Sequence, residues 1–98
     1  GNSCRSVMAE GLLKKALKDK NRVDVEVISA GISAFGGQPA TGETLHLLSK
    51  SGADMSAHRS QRISKTMLYS SDLILVMENI HEEHILGILF YTRYFIRV

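Results

Sequence analysis

Gly1-Asn2-Ser3-Cys4-Arg5-Ser6-Val7-Met8-Ala9-Glu10-Gly11 opens the chain, and its reading decides the fold. A glycine and a run of small polar residues lead through an arginine straight into a helical pattern. Successive backbone N–H groups at a helix N-terminus form a cradle for an anion, and the helix dipole adds a favourable potential. Gly1 permits close backbone approach or a positive φ. Arg5 can hold two oxyanions in a bidentate fork. The competing reading is an ordinary helix start with Ser3 as its N-cap. Residue types alone leave both readings open.

Working outward, Met8, Leu12, Leu13, Ala16 and Leu17 recur at helical spacing, so a helix is expected over residues 5–20, ended by Asn21. VDVEVISAG (23–31) alternates apolar and polar residues and predicts a strand stopping at Gly31. ISAFGGQPATG (32–42) reads as a loop, punctuated by Gly36, Gly37 and Pro39. Thr41 is the expected N-cap of a helix carrying Leu45, Leu47 and Leu48, with Gly52 as its stop. SAHRSQRIS (56–64) is polar and irregular, and Ser64 caps a short helix through Tyr69. DLILVM (72–77) predicts a fully buried strand. Asn79 and Glu82 suggest a capping box for a helix to about Leu89. The aromatic, β-branched tail FYTRYFIRV (90–98) defaults to a strand. Strands alternating with helices imply an α/β fold with a parallel sheet.

The 98 residues suffice for one small domain with a modest core. A formal charge of +2 is too small to imply nucleic acid, and Arg59, Arg62 and Lys65 form only a loose basic group. One cysteine, Cys4, excludes an internal disulfide framework and fits a cytoplasmic location. No stretch approaches the roughly 20 apolar residues of a membrane helix, so no membrane partner is expected. His81 and His84, with Glu82 and Glu83, could approach a metal, but a third ligand is lacking and a solvated helix face is the simpler reading. No metal and no cofactor are expected.

The stretch GNSCRSVMAEGLLKKAL resembles the P-loop and first helix of the low-molecular-weight protein tyrosine phosphatase family, whose pattern is C-x-G-N-x-C-R-S followed by a helix carrying A-E. The likeness continues in register through VISAGISAF, GQPAT, SGADMSAHRSQRI and SDLILVME, covering Gly1 to about His84. Residues 87–98 are not placed on the pattern, and residues 1–98 are read as a single, partial domain.

That resemblance implies a three-layer α/β sandwich with a small parallel sheet, a Rossmann-like phosphatase fold here lacking its first strand. It implies phosphomonoester hydrolysis through a phosphocysteine, with an Asp-Pro loop supplying the general acid. The expected substrate is a phosphorylated protein or small phosphomonoester, with inorganic phosphate as product or inhibitor. Arg5 would be the phosphate-binding arginine, and Gly1, Asn2, Ser3, Cys4, Arg5 and Ser6 would supply loop amides. Asn2 would brace the loop by bonding Ser29, with His58 and Ser6 completing the support. Cys4 would be the loop's second cysteine.

The nucleophile belongs two residues before Gly1, and no Asp-Pro pair occurs in the sequence. The expectation is therefore an incomplete family member, inactive alone. Arsenate reductase or protein-arginine phosphatase of the same fold, or a non-catalytic anion-binding module, are the alternatives.

Overall fold

The structure, a computed structural model, describes residues 4–32, 34–76 and 94–97. Two compact units divide the chain, Gly1–Arg62 and Ile63–Val98.

In the first unit, α1 spans Arg5–Asp19 and α2 spans Gly42–Lys50. Both helices end in the same hydrogen-bonded device. After α1, Asn21 adopts φ 55° and its N–H bonds the Lys18 carbonyl, while the Arg22 N–H bonds the Leu17 carbonyl. After α2, Gly52 at φ 80° bonds Ser49 and the Ala53 N–H bonds Leu48. Each pair satisfies two carbonyls that a helix end leaves open, and the left-handed residue makes the turn possible. Asn21 and Gly52 thus stop the helices where the sequence predicts. Thr41 caps α2, its hydroxyl oxygen accepting the Thr44 N–H at 3.3 Å.

The core of this unit joins Val7, Ala40, Leu48, Ala53 and Met55, with Met8 and Leu45 packed against it. The buried stripe of α1 is Val7, Glu10 and Gly11, not the leucine face that the periodicity suggests. Leu12 and Leu13 are exposed. The cause is Gly11. A Cβ built there would lie 2.9 Å from Met55 Cγ and 3.1 Å from Leu48 Cδ2, so the bare glycine lets α1 close on α2 along its own side. Leu48, only 1% exposed, fills that contact, a burial of about 1.5–3 kcal/mol.

The strand expected over 23–31 does not form as a ladder. Residues 23–28 make no backbone pairing among the described residues, and only Gly31 forms a bridge, parallel, with Arg62. Val23 is 96% exposed, and Val25 and Ile28 are also on the surface. Alternation supplies a side-chain pattern, but a strand exists only through a neighbour that takes up its N–H and C=O groups.

In the second unit, Ser64 caps α3, Lys65–Ser70, by accepting the Met67 N–H at 3.2 Å. β1, Leu73–Val76, pairs in parallel with β2, Tyr94–Arg97, with Leu73 opposite Tyr94 and Val76 opposite Arg97. The tail therefore supplies a strand. β1 is half-buried where full burial is expected: Ile74 and Val76 pack with Leu68, Ile63 and Tyr69, whereas Leu73 and Leu75 face outward. Parallel pairing fits the α/β class. The expected helix from Asn79, with His81 and His84, lies outside the described residues. Among the described residues, no helix is long and apolar enough to cross a membrane.

The Gly11 contact is testable by denaturant unfolding. Gly11→Ala is expected to be nearly neutral, because flexible Met55 can yield and alanine raises helix propensity by about 0.5–1 kcal/mol. Gly11→Val adds two methyls against Leu48 and is expected to destabilise the chain by about 1–3 kcal/mol.

Candidate functional site around the start of α1

Cys4 is the N-cap of α1, and its carbonyl accepts the Met8 N–H at 2.9 Å. The expected alternative cap, Ser3, lies with Gly1 and Asn2 outside the described residues. The Cys4 side chain makes no capping bond to the helix, and no acidic residue occupies the first turn. The positive end of the dipole is thus not neutralised by an acidic side chain of α1's own first turn. Arg5 is the first helical residue and is exposed, and Ser6 follows, half-buried.

Two of the predicted support residues converge on a group the sequence reading did not assign. Glu10, one of the buried residues of α1, is 7% exposed. Ser29 donates its hydroxyl to Glu10 Oε1 at 2.6 Å. Lys14 donates from Nζ to Glu10 Oε2 at 2.6 Å. His58, whose side chain is 5% exposed, places Nδ1 4.0 Å from Glu10 Oε1. Glu10 therefore ties α1 to the segment that ends at Gly31 and to the loop that follows Met55. A buried carboxylate needs such donors, because desolvating it without them is very costly. The expected bond between Asn2 and Ser29 falls on a residue outside those described. The signal available in the sequence was a charged residue three positions after Val7 on a buried stripe, where charge is rare unless paired.

The backbone around these groups is knitted by residues 60–62. Gly31 N–H bonds the Gln61 carbonyl at 3.0 Å, and Gln61 Nε2 donates to the Ser29 carbonyl at 2.9 Å. Buried Ser60 clamps the glycine loop: its hydroxyl donates to the Phe35 carbonyl and accepts the Gln38 N–H, while its own N–H and carbonyl bond Gln38 and Gly37. Asp54 begins the His58 loop. Ser56 holds its carboxyl below the usual carboxylate range, first through the side-chain hydrogen bond and then through the backbone N–H at 2.9 Å. A depressed carboxylate stabilises the folded chain above its ordinary titration range, and that contribution fades as pH falls through the folded value.

Ser29, His58 and Lys14 predict a graded response at Glu10. Glu10→Ala removes the acceptor for the half-buried Ser29 hydroxyl and is expected to destabilise the chain by about 1–3 kcal/mol. Glu10→Gln keeps an oxygen for Ser29 and loses the pair with Lys14, which is half exposed and worth about 0–1 kcal/mol, so its cost is smaller. Urea midpoints of the two variants check the order.

Comparison with known proteins places the chain in a family. The family model for low molecular weight phosphotyrosine protein phosphatase matches residues 1–97. The chain is 40% identical over 85 residues to a probable low molecular weight protein-tyrosine-phosphatase, EpsP, of Ralstonia nicotianae, covering 87% of this chain and 55% of that protein. It is 42% identical over 77 residues to arsenate reductase 2 of Staphylococcus haemolyticus, covering 79% of this chain and 53% of that one. The chain spans about half the length of the curated relatives it matches.

Among solved structures, YfkJ of Bacillus subtilis superposes with a TM-score of 0.91 at 25% identity, over 99% of this chain and 64% of its own. Vibrio vulnificus Wzb, in complex with benzylphosphonate, gives 0.85 at 32% identity over 99% and 66%. The arginine phosphatase YwlE, as a phosphorylated serine mutant, gives 0.81 at 32% over 89% and 56%. These likenesses establish the Rossmann-like α/β fold. The chain belongs to the low molecular weight phosphotyrosine protein phosphatase family.

Proposed function

We propose that the protein hydrolyses phosphomonoesters of the phosphotyrosine type, and that this chain supplies its phosphate-binding arginine, Arg5, with the loop amides of Gly1 through Ser6. The observation that carries the reading is the start of α1. Arg5 opens a 15-residue helix whose first turn holds no acid, so dipole, amides and guanidinium favour the same anion. The similar Wzb structure holds a phosphonate, which supports a phosphoryl group as that anion. Ser29 and His58, gathered on Glu10, serve as the support behind the loop.

Cys4 is not the nucleophile in this reading. A P-loop nucleophile is followed six positions later by its arginine, and six after Cys4 stands Glu10, an acid already engaged by Ser29 and Lys14. An acid there would repel the substrate. Within these 98 residues no Asp-Pro pair supplies a proton to the leaving oxygen. The chain by itself is therefore read as binding phosphate without turning over esters. Arsenate reduction is the weaker reading, since it needs further cysteines and none follows Cys4 in this sequence. YwlE keeps a phosphoarginine substrate as the other outcome for the complete site.

Titration calorimetry with inorganic phosphate tests this reading. The wild-type chain is expected to bind phosphate, and Arg5→Ala to weaken binding at least about tenfold, the loss of a charge-assisted pair. Hydrolysis of p-nitrophenyl phosphate by the same chain is expected to be negligible. Absence of binding would overturn the assignment of Arg5, and turnover abolished by Arg5→Ala would overturn the view that this chain only binds.

A further inference from the structure

Thr44 is a buried hydroxyl that neither the fold nor the proposed chemistry uses. It sits in the first turn of α2 and is 1% exposed. Its N–H bonds Thr41, as any third residue of a capped helix does. A capping box would place Glu or Gln there, with a side chain long enough to reach back to the cap N–H. Threonine cannot make that reach, and its hydroxyl goes elsewhere. The Thr41 hydroxyl donates to Thr44 Oγ1 at 2.8 Å, and Thr44 Oγ1 donates to Cys4 Sγ at 3.4 Å.

The direction of this relay follows from counting protons. Thr41 Oγ1 accepts the Thr44 amide and passes its own proton to Thr44. Thr44 then has one proton left, and the Cys4 sulfur accepts it. A buried hydroxyl without an acceptor is costly, so the contact constrains both residues. It joins the N-cap residue of α1 to the first turn of α2 across 40 positions of sequence.

We propose that Thr44 is a positioning residue for the anion-binding loop. Its hydroxyl holds the Cys4 side chain against α2, occupies a sulfur lone pair, and so fixes the residue from which α1 and Arg5 start. The importance for phosphate rests on the function proposed above; the contact itself does not.

The experiment measures the rate at which Cys4 in the 98-residue chain is alkylated by iodoacetamide, without phosphate. The thiolate is the attacking form, and an O–H donor to the sulfur favours it over the thiol. Thr44→Val, which keeps shape and removes the hydroxyl, is expected to lower the rate at neutral pH roughly two- to tenfold, the range of one hydrogen bond. Thr44→Ser, which keeps the hydroxyl, is expected to restore the wild-type rate. An unchanged rate in Thr44→Val, or a serine variant that behaves like valine, overturns the proposal.

A double-mutant cycle with Cys4→Ala, read from urea midpoints, guards against a general loosening by valine. The two substitutions are expected to be non-additive, and simple additivity also overturns the proposal. Repeating the wild-type labelling at saturating phosphate separates the two claims. Protection supports the phosphate reading, whereas its absence counts against that reading and leaves the Thr44 comparison standing.

Discussion

A carboxylate placed inside a small unit makes demands that apolar residues do not, and Glu10 makes them from the second turn of α1. Its two oxygens need donors, and Lys14, one turn along the same helix, and Ser29, from the segment after α1, supply them, while His58 from the loop after Met55 approaches to 4.0 Å. Apolar contacts among Val7, Leu48 and Met55 hold α1 and α2 together without fixing their register sharply. The polar contacts of Glu10 fix α1 against the segment that carries Ser29, because a hydrogen bond tolerates only a narrow range of distance and angle. The hydrophobic core and the Glu10 cluster therefore divide the work, one supplying most of the attraction and the other the alignment.

That division bears on how an anion site can be built from so few residues. Arg5 and the amides at the start of α1 are surface groups, and a surface group is only as well placed as the backbone beneath it. The helix is held from below by Glu10 and beside its first turn by the Thr41–Thr44–Cys4 relay. Ser60 performs a similar service for the glycine loop, binding four backbone groups from Phe35 to Gln38 with its hydroxyl, N–H and carbonyl. At Thr41, Thr44 and Ser60 a short polar side chain near the backbone does what a longer one, with more rotamers to lose, would do less firmly.

What the sequence disclosed and what it concealed divide along one line. The helix caps at Thr41 and Ser64 and the stops at Asn21 and Gly52 were legible, because caps and stops depend on residues within a turn of each other. The GNSCRS motif pointed to the family. The buried face of α1 was not legible, since it depends on how closely α2 can approach Gly11. The ladder expected for 23–31 failed for a similar reason: Val23, Val25 and Ile28 carry the pattern, but pairing depends on a distant partner. Ser29 and His58 were named as supports, yet the acid that gathers them was passed over because it resembled any other glutamate in an amphipathic helix.

The surface segment after α1 carries a consequence for the protein in solution. Valines and isoleucine at 23, 25, 27 and 28 form a β-prone strip that invites self-association when it is unpaired. Asp24 and Glu26 interrupt it with charge, in the manner of gatekeepers. Arg22 grips Asp24 through two hydrogen bonds of 2.8 Å and holds its carboxyl below the usual range, so this charge persists as the medium is acidified. The charge that breaks the strip thus sits in an exposed ion pair that contributes little to folding, so its role lies in the surface and not in the core.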